Sequence, residues 1–204
     1  MGKTQTDEKI KKSIRKRIVE GYLRVILLSA LLGVITIVSL GVLFVFYGNM
    51  TSLDEERVAL SNTIDSHHQL RSDLINSLET GSDFTGSLDP ETCSFGQWLS
   101  KYEADGASDE VMQMAQQMTQ THAEIHNLAK DLLNMSETDP EGAVDKFFEE
   151  VDPETDQVIN GLYNIDNAYA TEIAKITKNF ETLMMVIIVV IIVAVIAIGI
   201  FSFF

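Results

Sequence analysis

The sequence predicts an all-α protein: an extracytoplasmic helical bundle of the four-helix type, flanked by two transmembrane helices. Three observations predict it. Two runs of 23 residues, Val25 to Tyr47 and Thr182 to Phe204, carry no charged side chain. The stretch between them repeats its apolar residues near helical spacing and nowhere alternates convincingly. All three prolines sit in one tripeptide, Asp-Pro-Glu, whose chemistry starts helices.

The composition supports this division. The 204 residues hold 30 acidic and 15 basic groups, yet 46% are hydrophobic, which excludes a disordered acidic tail and a nucleic-acid binder. The charges fall into two blocks: eight Lys or Arg against three acids in residues 1–24, and seven against 27 in residues 51–181. At roughly 1.5 Å per residue, a helix of either uncharged run spans about 35 Å, enough for a hydrocarbon core of about 30 Å. The first run is too long, and too poor in small residues at its end, for a signal peptide. The second has no polar face for water. The cluster Lys9, Lys11, Lys12, Arg15, Lys16, Arg17 and Arg24 precedes the first run and places the N-terminus in the cytoplasm.

The expected organisation is a cytoplasmic basic N-terminus (1–24), a first span (25–47), an extracytoplasmic domain (48–181) and a second span (182–204), in a multi-pass protein of the cell (inner) membrane. On that topology the chain re-enters the cytoplasm and stops at Phe204, so it is expected to be the front of a longer protein, the alternative being a separate cytoplasmic partner. Met1, Gly2 and Thr6 fit the N-myristoylation pattern, which is too permissive to outweigh a span already present.

The outer block divides at its turn residues. Val58, Ile64, Leu70, Leu74 and Leu78 place a helix over residues 51–80 that continues the first span, and Gly81, Gly86 and their polar neighbours form a loop. Each Asp-Pro-Glu is read as a helix start, with Asp as N-cap, Pro where no hydrogen bond is lost and Glu at the positive end of the dipole. This predicts a short helix from Asp89 to about Tyr102. The Gly106-Ala107-Ser108-Asp109 segment introduces a long one to about Met135, and another runs from Glu141 to about Glu150. The last starts at Asp152 and carries Val158, Leu162, Ile165, Tyr169, Ile173 and Ile176 towards the second span.

The chemistry concentrates in few residues. The one cysteine, Cys93, opens Cys93-Ser94-Phe95-Gly96-Gln97-Trp98 in the expected first turn of a helix, where the dipole favours a thiolate. The four histidines are His67 and His68 on the first helix and His122 and His126 on the third. His122 and His126 are spaced i, i+4 and share a face. A thiolate with two or three imidazoles suits Zn²⁺, tetrahedral if one of His67 and His68 joins, and a closed shell leaves no position for substrate. The segment His122-Ala123-Glu124-Ile125-His126 lacks the glutamate next to the first histidine that a metalloprotease needs. Phe95 and Trp98 read as packing residues and Gly96 as a close-approach site. Met112, Met114 and Met118 read as core. Asp54-Glu55-Glu56 and Glu149-Glu150 read as solvated surface. No nucleophile paired with a base stands out, so no enzyme is expected.

The string Cys-x-Phe-Gly-x-Trp, followed about thirty residues later by His-x-x-x-His and preceded by a histidine on the first helix, resembles the chemoreceptor zinc-binding domain, from about Ile64 to Tyr169. The resemblance implies a helical bundle with a three-histidine, one-cysteine site. It assigns His67, Cys93, His122 and His126 as ligands. The family's first ligand stands in a His-x-x-Trp motif; His67 has Leu70 at the tryptophan position and His68 has Arg71, so His68 stays as the alternative first ligand. Members are often cytoplasmic parts of chemoreceptors and diguanylate cyclases, linked to metal or oxidant sensing. Between two spans, the domain looks like the sensor region of a methyl-accepting chemotaxis protein. The implied partners are the lipid bilayer, a second copy as homodimer, and a chemotaxis kinase and coupling protein reached through a cytoplasmic part. Alternatives are a zinc-stapled bundle that senses another small ligand, and the input region of a membrane diguanylate cyclase or histidine kinase.

Overall fold

The computed structural model describes residues 2–104 and 108–203 and is all-α. In chain order the elements are α1 (Gly2–Thr80), α2 (Ser94–Ala104), α3 (Asp109–Ser136), α4 (Pro140–Lys146), a π-helical turn (Phe147–Val151) and α5 (Asp152–Phe203). Contacts divide the chain into two compact units, Met1–Met50 with Lys175–Phe204, and Thr51–Ala174.

In the first unit, α1 and α5 are each long and apolar enough to cross a membrane, and the most apolar stretch of neither is buried within the protein. Phe46 and Phe180 stack at 3.9 Å between ring centroids. Thr177 Oγ1 lies 3.8 Å from Met50 Sδ.

The second unit is a four-helix arrangement whose core follows from helical spacing. On α3 the buried positions Val111, Ala115, Met118, His122, Ile125, Ala129 and Leu132 recur every four and three residues, a seam that faces its neighbours along the whole helix. On α1 the buried stripe comprises Leu60, Thr63, Ile64, His67, Leu70, Leu74, Ser77 and Leu78. Val58, expected on this stripe, is 56% exposed; it lies two residues from Leu60, about 200° round the helix. On α5, Val158, Ile159, Leu162, Ile165 and Tyr169 are buried. The Arg57 guanidinium on α1 grips Asp166 on α5 with two of its nitrogens, Nε at 2.7 Å and Nη2 at 3.0 Å.

The turn chemistry explains most boundaries. Gly81 ends α1 with φ 70°, its N–H bonded to the Ser77 carbonyl at 2.9 Å. Ser108 caps α3, accepting from the Val111 N–H, and Asp139 caps α4, accepting from the Gly142 N–H at 3.0 Å. Of the segment expected to introduce α3, Gly106 and Ala107 lie outside the described residues.

Two of the three expected helix starts differ. Asp89 accepts from the Glu91 N–H, but residues 90–93 form turns and α2 begins only at Ser94. Asp152 is no N-cap: its φ of −61° and ψ of −49° are helical. Proline has no N–H for the carbonyl four residues before it and crowds it sterically. A π turn directly ahead of Pro153 absorbs that misfit, so the helix continues where a new one was expected to start.

Candidate metal centre

Three segments bring four ligands of two types to one point. His67 comes from the α1 stripe, His122 from the α3 seam and His126 from one turn further along α3, while Cys93 stands immediately before α2. One nitrogen or sulfur from each lies within 4.8 Å of all the others. The side chains are buried, at 1% exposure for His67, 7% for Cys93, 2% for His122 and 0% for His126. Two of the histidines therefore occupy positions that helical spacing reserves for aliphatic residues. A polar ring there must find a partner.

The hydrogen bonds show where the rings aim. His67 Nδ1 donates to the Thr63 carbonyl at 2.8 Å, and His126 Nδ1 donates to the Ser87 carbonyl at 3.0 Å. A carbonyl only accepts, so in each neutral ring Nδ1 holds the proton and Nε2 carries the free lone pair. His67 Nε2 is buried without a hydrogen-bond partner. His126 Nε2 lies 3.1 Å from His122 Nε2, which lies 3.1 Å from Cys93 Sγ. Lone pairs from separate helices thus converge where little but a cation satisfies them together. Carbonyls behind the rings are the usual way of orienting metal-binding imidazoles.

Burial sets the protonation of these groups. It pushes His122 down to about 3, aided by His126 and His67. It also holds His67 and His126 below the ordinary histidine range. Three neutral imidazoles are the state that ligates. The dipole argument for a thiolate at Cys93 is outweighed. Burial raises the thiol, and the Gly96 and Phe95 amides lower it by less. As a thiol, Cys93 donates to the Pro90 carbonyl at 3.3 Å, and its sulfur receives the Gly96 N–H at 3.4 Å. A buried thiolate then needs a cation beside it, and zinc supplies one. Donor set, tautomers and burial all fit Zn²⁺.

Of the remaining expected residues, His68 is not brought to the cluster. Its ring is half-buried, with Nδ1 3.5 Å from Arg71 Nη2. Arg71 in turn reaches Asp152 and Asp156 on α5. Phe95, fully buried, sets its ring edge-on to His122 at 4.7 Å. Trp98 stacks on Phe95 at 5.9 Å and on Tyr102 at 5.0 Å. A Cβ on Gly96 would run into the Pro90 and Glu91 carbonyl oxygens, so glycine lets the α2 turn close over the cysteine. Met118 is buried in the core, and Met112 and Met114 are half-buried against it. The Thr63, Ser87 and Pro90 carbonyls were missed from the sequence. They are main-chain groups and leave no residue-type signal.

The model of the chemoreceptor zinc-binding domain matches residues 67–133, a span that runs from the first clustered histidine past the last. Domains of this family are sensory modules without catalytic activity. Neither the curated proteins nor the solved structures gave a match.

Proposed function

With residues 67–133 a chemoreceptor zinc-binding domain, we propose that the chain is the transmembrane sensor region of a chemoreceptor. His67, Cys93, His122 and His126 hold Zn²⁺ there. The observation that carries this reading is the convergence of four buried donor atoms within 4.8 Å, with the His67 and His126 tautomers already set for ligation. When bound, zinc neutralises the thiolate and fastens the Cys93 turn to α1 and α3. Loss of the metal, or oxidation of the thiol, frees the cysteine turn from the histidines. Displacement then passes along α1 and α5.

Residues 1–24 are cytoplasmic, 25–47 and 182–204 span the inner membrane, and 48–181 form the extracytoplasmic sensor. The basic N-terminal cluster and the two apolar helices support this topology. The receptor acts as a homodimer, and its signal reaches a chemotaxis kinase and coupling protein through a cytoplasmic output module.

A second reading has its own support. The ligands lie inside the core seams rather than in a cleft, which suits zinc that staples the bundle while another stimulus is sensed. The deciding experiment reconstitutes the full chain in nanodiscs without chelator. Metal content comes from mass spectrometry, and the movement of α5 is read by spin labels before and after chelation. Absence of stoichiometric zinc sinks the site. Zinc whose removal melts the bundle without a discrete shift of α5 favours the staple.

A further inference from the structure

The N-terminal part of α1 holds more than a charge signal. Ile10, Ile14 and Ile18 follow one another at four-residue spacing and are 51%, 52% and 53% exposed. Each step turns the stripe by only about 40°, so the three form one apolar ribbon. Lys11 and Arg17 border the ribbon, and Lys12, Arg15 and Lys16 continue round the helix. All five cations are exposed, and Lys16 makes an i, i+4 pair with Glu20 at 3.8 Å. Topology would be served by the cations alone. An isoleucine ribbon among them is the pattern of a helix that rests on a lipid surface.

From this pattern we infer that residues 10–18 dock on the anionic phospholipid headgroups of the leaflet the first span enters. The isoleucine ribbon sits at the acyl boundary and the cations on the phosphates. The inference rests on the span reading above, because the apolar run from Val25 is what holds this helix at a bilayer. Charge and the ribbon together select the occupant: residues 10–18 carry five cations and no acid, with the exposed Glu8 and Glu20 on either side, which opposes a basic protein and matches anionic groups, and the isoleucine ribbon favours a lipid surface over a nucleic acid. Gly21 lies between the ribbon and the apolar run, and a Cβ there would meet nothing within 4 Å. Glycine is the interior helix residue that bends most readily. In this structure α1 is unbroken through Gly21, and a bend there on docking would let the ribbon lie on the surface while the span stays upright.

The test places Trp at Ile14 (Ile14→Trp) in the full chain, in nanodiscs whose acyl chains carry bromine, and subtracts the Trp98 signal of the wild type. The discs are phosphatidylcholine alone or a mixture with phosphatidylglycerol. Docking predicts quenching of the added tryptophan in the anionic discs. Lys11→Glu and Arg17→Glu, at the two borders of the ribbon, should each weaken it by about fivefold or more, the scale of one cation at an anionic surface. Equal quenching in both discs, or none in either, overturns the proposal. So does efficient disulfide cross-linking of two copies through Ile14→Cys, which would give the ribbon itself to a second chain. Extraction of the wild type from native membranes by alkaline carbonate separates the readings: an extracted chain fails the span assignment, whereas a retained but unquenched chain fails only the docking.

Discussion

The Sγ of Cys93 lies 3.1 Å from Nε2 of His122, 29 residues further along the chain. The contact joins the turn before α2 to the middle of the α3 seam, and His126 Nε2 lies a further 3.1 Å on. Nothing in the local folding of either segment requires the meeting. It depends on the Asp89 to Cys93 turn, where the Cys93 N–H bonds the Asp89 carbonyl at 3.2 Å and aims the sulfur inward.

Zinc content is the first consequence. The full chain purified without chelator should carry stoichiometric zinc, and Cys93→Ala and His126→Ala should each lose most of it, because a three-donor shell leaves the fourth position to water and gives the metal up more readily. His68→Ala should keep it, since His68 lies outside the cluster. Mass spectrometry of the three variants decides, and retained zinc in Cys93→Ala would remove the sulfur from the site.

Metal should also set the stability of the outer unit. A ligand at about a thousand times its Kd adds about 4 kcal/mol to the folded state. For a chain of this size that moves the melting temperature by roughly 10 °C. Calorimetry before and after chelation should show a fall of this order. A chelated protein that melts with the holo form contradicts a role for zinc in holding the bundle.

Proton release upon binding follows from the shifted groups. At neutral pH the three imidazoles are already neutral, because burial lowers all of them. The raised thiol still holds its proton. Zinc binding should therefore release about one proton, from Cys93. Titration calorimetry in buffers of different ionisation enthalpy gives that number, and release of two or more would mean that the histidines are charged in the apo protein.

The metal-free domain should weaken in acid. A histidine whose folded pKa lies below its unfolded value binds fewer protons folded than unfolded, so stability rises with pH across the interval between the two. It is complete above the unfolded value of about 6.5 and is lost as pH falls below it. For His122 the loss continues down to about 3. For His122 the slope approaches about 1.4 kcal/mol per pH unit within that interval, and His67 and His126 act in the same direction. Urea melts of the chelated protein at pH 7 and pH 5 should show the difference. A flat profile would mean that the three rings are hydrated in the apo state.

Much of this centre was legible before the structure. His122 and His126 share a face because of their i, i+4 spacing, and that geometry needs no tertiary information. The capping residue Asp139 and the stop at Gly81 were legible for the same reason, since local hydrogen bonding decides them. Long-range packing decided the rest. Whether His67 or His68 faces inward depends on which stripe of α1 meets α3, and two adjacent histidines point about 100° apart. At Asp152 the capping signal was sound locally, but the π turn ahead of Pro153 let the helix run on. The shift of the Cys93 thiol was illegible too, because it is a contest between burial and two amides that only packing resolves.

Gly96 offers the most selective test of how the turn presents its sulfur. A Cβ at this position would collide with the Pro90 and Glu91 carbonyl oxygens, and main chain cannot swing aside as a side chain can. Gly96→Ala should therefore open the turn that carries Cys93, costing about 1–3 kcal/mol as an overpacked site does. Zinc affinity should fall with it, because the sulfur leaves its place 3.1 Å from His122 while every ligand remains in the chain. Gly48→Ala is the control, since nothing lies within 4 Å of its added Cβ; it should leave zinc affinity unchanged. Competition against a chromophoric chelator, paired with thermal melts, measures both. If Gly96→Ala binds zinc as the wild type does and melts with it, the close approach at Gly96 is not what positions the cysteine.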